Sequence, residues 1–99
     1  MTEHTKGPWH RNIPPASKYC IVFAGRNTHV ARIESIGLTP EEIEGNCNLI
    51  AAAPELLEAL DSVKFCLELE QRTGKLHPAW VPILSRVQAA VKKAKGESA

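Results

Sequence analysis

Any chemistry in this chain would have to come from a short set of side chains: four histidines, three cysteines, a group of carboxylates and one mixed aromatic and basic segment. His4, His10, His29 and His77 show none of the HxxxH or HExxH spacings that place two metal ligands on one helical face. Cys20, Cys47 and Cys66 are odd in number and far apart, which fits neither a disulfide framework nor a CxxC motif. Each lies within an apolar pattern, so three buried free thiols are expected. Cys20 and His29 are the one couple that strand pairing could join as thiol nucleophile and base, with a buried cysteine beside a solvated imidazole as the plainer reading. The stretch Gly25-Arg26-Asn27-Thr28 lacks the second glycine and the Gly-Lys-Ser/Thr ending of a phosphate loop. Glu55, Glu58, Asp61, Glu68 and Glu70 are interspersed with good helix formers and read as a solvated face. No catalytic residue, metal site or cofactor site follows, and a protein that is not an enzyme is expected.

Binding has more support. Trp9, His10 and Arg11 sit together, and Arg26 and Asn27 occupy a turn that a hairpin would bring near them. A tryptophan beside an arginine can stack on a base and hold a phosphate. These five residues form the candidate ligand site, against the plainer alternative that Trp9 covers one end of a core while Arg11 points to water. A second candidate is Phe65, Cys66 and Leu69, a possible oligomer or partner interface if no other helix covers them.

These side chains need a scaffold, and 99 residues with 43% apolar content suit one domain, with frayed ends at residues 1–7 and 96–99. The chain divides by charge, at +4 over residues 1–33, −8 over 34–71 and +5 over 72–99. Such a division fits internal compensation, or a basic face offered to an anionic partner. No apolar run approaches the roughly 18 residues of a membrane span, and the start MTEHTKGPWH has no apolar stretch of the signal-peptide kind. The cytoplasm of the cell is the expected location.

Trp9, Arg11 and Ile13 alternate with His10 and Asn12 as in a short strand, ended by Pro14-Pro15. Tyr19–Ala24 is the strongest strand signal, continuous enough to suggest cover on both faces. After the turn at 25–28, His29–Glu34 supplies a second arm, and the Trp9 segment extends the hairpin to a three-stranded meander. Thr39, Pro40 and Glu42 together signal a helix start with a capping box. Pro54 must kink or stop that helix near Ala53, because it would remove the bond to the Ile50 carbonyl at a cost of about 3 kcal/mol. Two helices meeting there are expected, the second running from Pro54 to about Arg72 with Leu56, Leu60, Val63 and Leu67 covering the sheet. Phe65 and Leu69 fall nearly opposite that stripe. Thr73-Gly74 stops the helix, and a third runs from about Ala79 or Val81 to Lys95 through Trp80, Leu84, Val87 and Val91.

Gly7-Pro8-Trp9 and the run Asn46 to Leu60, NCNLIAAAPELLEAL, resemble a group of small phage and prophage proteins of uncharacterised function. Their members tend to carry an early Gly-Pro-Trp, a short β segment and an acidic, Asn-rich lead into such a run. The resemblance covers about a fifth of the chain. Where that group often has Ala-Asn-Ala-Arg, this chain has Gly45-Asn46-Cys47-Asn48, so a role for a basic residue there does not carry over. The resemblance implies a phage-borne accessory protein acting in the host bacterial cytoplasm, and supplies no catalytic residues.

The expectation is thus an α+β fold, a short antiparallel β-meander followed by a proline-broken helix pair and a C-terminal helix, self-associating as a homo-oligomer. The leading functional reading is a non-catalytic binding protein that counters a host defence by sequestering a nucleotide signal or blocking a host protein. The alternative is a nucleic-acid-associated protein using the basic last helix, although three lysines and one arginine make a weak footprint.

Overall fold

A computed structural model describes residues 3–12, 19–26, 28–34 and 36–97. The expected strand end at Ile13 and Pro14-Pro15 lies outside these residues. The fold is α+β: β1 (Trp9–Asn12), β2 (Tyr19–Ala24), β3 (Thr28–Glu34), α1 (Pro40–Ala51), α2 (Ala53–Arg72), a 3-10 turn at Pro78–Trp80, and α3 (Val81–Ala94). The chain groups into two compact units, Thr5–Glu55 and Met1–His4 with Leu56–Ala99.

The first unit is the antiparallel meander β1-β2-β3 with α1 on one of its faces. β1 pairs with β2 from Trp9 opposite Ala24 to Asn12 opposite Ile21. A bulge between Val22 and Phe23 leaves Val30 as the extra residue of β3, so that Val22 faces Ala31 while Phe23 faces His29. α1 starts as its residue types require. The Thr39 hydroxyl accepts from the Glu42 amide at 3.1 Å, and the Glu42 carboxylate accepts from the Thr39 amide at 3.1 Å. Ile43 and Cys47, four apart on one helical face, meet Cys20 and Val22 from β2 to form the core of this unit. Trp9, Ala31, Ile33, Ile50 and Ala51 pack around them.

Two expectations are corrected here. Cys20 and Cys47 are fully buried but are joined as a disulfide, 27 residues apart with Cα atoms at 6.4 Å. Sequence spacing says nothing about which strand face and which helical face will meet, and these two faces do. Cys66 is the free cysteine among the described residues, and it is exposed. The strand Tyr19–Ala24 is not covered on both faces, because α1 lies on one side. Cys20, Val22 and Ala24 are buried, whereas Tyr19, Ile21 and Phe23 are half-buried on the other.

α1 ends at Ala51, and α2 begins at Ala53 with Pro54 in its first turn, where the missing N–H costs nothing. Gly7 lies directly against this break. A methyl group built on it would come 2.9 Å from Pro54 Cβ and 3.3 Å from Pro54 Cγ.

The second unit is an antiparallel helical hairpin. Gln88 donates to the Glu68 carboxylate at 2.8 Å, and the Lys95 ammonium meets Asp61 at 3.1 Å. Leu84 and Val91 are the buried residues of α3, and α2 has none. The stripe expected to cover the sheet is therefore divided: Leu60 and Leu67 are half-buried, but Leu56 and Val63 are exposed. Trp80 falls in the 3-10 turn and is also exposed, not part of a buried α3 stripe. No helix among the described residues is long and apolar enough to cross a membrane.

Candidate functional site

Strand alternation distributes the first candidate group over two faces. Trp9 and Arg11 stand opposite Ala24 and Val22, residues of the α1 side. Trp9 packs against the core, and its indole N–H donates to the Thr5 carbonyl at 3.0 Å. Arg11 reaches Glu44 of α1 at 3.8 Å, a partly exposed ion pair of small energetic weight. His10 points the other way, and Arg26 is exposed in the turn after β2. Asn27 lies outside the described residues. Cys20 and His29 are not brought together: Cys20 is opposite Ile33 and bonded to Cys47, while His29 is opposite Phe23.

What the fold assembles instead is the open face of the sheet. Phe23 is flanked by His10 on β1 and His29 on β3. The His10 and Phe23 rings lie 6.0 Å apart, tilted by 49°. Ile21 continues the row between Asn12 and Arg32. At the far end the Arg32 guanidinium sits 4.1 Å over the Tyr19 ring and is held by Glu34 at 2.6 Å. Phe23, Tyr19 and Arg32 were not among the sequence candidates, and His29 was considered there only as a base for Cys20. The signal for them was present in the alternation of β2, and became readable once a single covering helix gave that strand an inside and an outside.

The face offers two kinds of contact. Phe23 presents a flat apolar ring with imidazoles on both neighbouring strands, a surface on which another planar ring can stack. Arg26 adds positive charge in the turn after β2, whereas Arg32 near the other end is paired with Glu34. α1 carries Glu41, Glu42 and Glu44 on the other side of the sheet, while on the open side the charge of Arg32 is balanced by Glu34.

The second candidate group lies on the helical hairpin. Phe65 and Leu69 are 61% and 46% exposed, and Cys66 is exposed beside them. α3 packs along a different part of α2 and does not cover them. A shallow cavity of about 350 Å³ is lined by Glu58, Asp61, Ser62, Phe65 and Cys66. Nearby, the Glu68 carboxyl is held below its ordinary 4.5 by the hydrogen bond from Gln88, and then by that from Lys64.

Comparison with known proteins gives one family match: the model of Salmonella phage P22 protein Y8K6 covers residues 1–98. No curated protein and no solved structure matches the chain.

Proposed function

The chain belongs to the Salmonella phage P22 protein Y8K6 family, and from that premise we propose a non-catalytic phage accessory protein that counters a host defence by capturing a nucleotide signal on the open face of its sheet. The observation that supports this is Phe23 between His10 and His29, with Arg26 and Arg32 at hand. A base stacks on the Phe23 ring, and Arg26, joined by Arg32 when a phosphate draws it from Glu34, balances the phosphates. Stacking of a base on an aromatic side chain is worth about 1–3 kcal/mol, and charge-assisted bonds to phosphate add to it. Sequestration needs no bond to be made or broken. Such a protein acts in the host cytoplasm, where these signals are made.

Calorimetry with a panel of cyclic oligonucleotides and ADP-ribose-type ligands tests the reading. Saturable binding that Phe23→Ala weakens by tenfold or more, in a variant that keeps its fold, is the expected result. Heat with no ligand of the panel sinks the nucleotide reading and leaves capture of a host protein. Trp9→Ala is unsuitable as the site variant, because Trp9 packs on the core.

A second reading draws on α3, where Arg86, Lys92 and Lys93 are exposed while Lys95 is engaged by Asp61. A nucleic-acid partner there would bind with a steep salt dependence, reduced by neutralising Lys92 and Lys93. The absence of a mobility shift at low salt disposes of it.

A further inference from the structure

α2 is 20 residues long and buries none of them completely, an incomplete arrangement for a helix whose stability comes from packing one face. At about 100° per residue, Leu57 and Lys64 lie centrally in the stripe of α2 that meets α3. Asp61 and Glu68 form one flank of that stripe, and Leu56, Leu60, Val63 and Leu67 form the other. α3 meets α2 through Leu84 and Val91, with Gln88 and Lys95 on one flank and Ile83, Val87 and Ala90 on the other. The bonds from Gln88 to Glu68 and from Lys95 to Asp61 place both polar flanks on the same side of the hairpin. Both apolar flanks therefore share the opposite side. They make one continuous face on which Leu56, Val63 and Ile83 are 48%, 45% and 40% exposed.

We propose that this face seats a second copy of the chain, two hairpins closing face to face as an antiparallel four-helix bundle. Charge selects both the occupant and the arrangement. Glu70 of α2 and Arg86 of α3 border this face, whereas Asp61 and Glu68 stand on the opposite, polar side. A two-fold axis parallel to the helices lays α2 of each copy over α3 of the other and brings these opposite charges to the same rim. The perpendicular two-fold stacks α2 on α2 and α3 on α3 and sets like charges on the same rim. The hydrogen-bonded pairs also fix the level of every residue along the hairpin, and they put Glu70 level with Arg86. In the favoured arrangement Glu70 of one copy meets Arg86 of the second at the rim.

The face spans roughly 20 Å across two helices 8–10 Å apart and roughly 20–30 Å along them. Two copies bury on the order of 1,000 Å² in total, the lower edge of specific interfaces. The dimer should therefore dissociate at micromolar concentrations. The side bearing Phe65 is less suited, being bordered by the Glu68–Gln88 and Asp61–Lys95 bonds. This inference concerns the helical hairpin alone and is independent of the nucleotide reading.

Analytical ultracentrifugation of the full chain across the micromolar range is the test. The mass should rise with concentration from the 10.9 kDa of one chain toward twice that value. Val63→Glu should weaken association by about tenfold or more, while Phe65→Glu leaves it unchanged. Glu70→Lys and Arg86→Glu should each weaken it by about fivefold, and the two together should restore it. Because those two positions are exposed, the charge swap remains informative even if Val63→Glu fails to fold. A single-chain mass throughout the range overturns the proposal. So does a dimer that Phe65→Glu breaks, or one in which the double swap restores nothing.

Discussion

The sheet unit and the helical hairpin use similar amounts of chain to bury very different interiors. In the sheet unit, Cys20, Val22, Ile43 and Cys47 form a closed centre with a disulfide through it. In the hairpin, Leu84 and Val91 stand alone, and apolar side chains remain open on both sides of α2. A three-stranded sheet has two broad faces, and one helix of the right stripe completes one of them. Two helices present a line of contact, and a line cannot enclose the flanks on either side. The sheet unit is thus closed by α1 on one side, whereas the hairpin keeps apolar side chains exposed on both sides of α2.

Three changes would break or sharpen that contrast. The largest effect is expected from Cys20→Ala with Cys47→Ala, which should cost about 3–4 kcal/mol for a closed loop of this length, read as a lowered denaturant midpoint. Native oxidised protein should correspondingly offer a single thiol, Cys66, to a thiol reagent, and three reactive thiols without denaturant would contradict the pairing.

Next is Gly7→Ala. The added methyl must displace the Pro54 ring, which has little freedom to move, and overpacking of this kind costs about 1–3 kcal/mol. The loss should fall on the sheet unit, as faster hydrogen exchange of β1 and the end of α1, with the α3 amides unchanged.

The smallest effect concerns the hairpin. Glu68 is held below its ordinary pKa by Gln88 first and Lys64 second, so its bonds stabilise the folded state fully above that ordinary value. The contribution is lost as the pH falls through the depressed folded-state value. Gln88→Leu should move the Glu68 titration, followed by carboxyl NMR shifts, back toward the ordinary value. A titration that does not move would show that the bond is not formed in solution.

Much of this was legible from local chemistry. Thr39, Pro40 and Glu42 specify a helix start through bonds that close within four residues. Pro54 specifies a break because its ring and missing N–H act within one turn. The alternation and turn residues of 19–34 specify a hairpin, and the α+β order follows. The contact between Gly7 and Pro54 was not readable from local pattern. Gly7 and Pro54 are 47 positions apart in sequence, and it is their close approach that demands a glycine.

What tertiary structure alone decided is which face of each element found cover. Periodicity places Trp9 and His10 on opposite faces of a strand, and Leu56 and Phe65 on opposite sides of a helix. It does not say which of them is inside. That depends on where α1 and α3 come to rest, a result of packing between segments distant in sequence. The same packing joined Cys20 to Cys47, turned Trp9 inward, and left Phe23 with His10 and His29 as the open face.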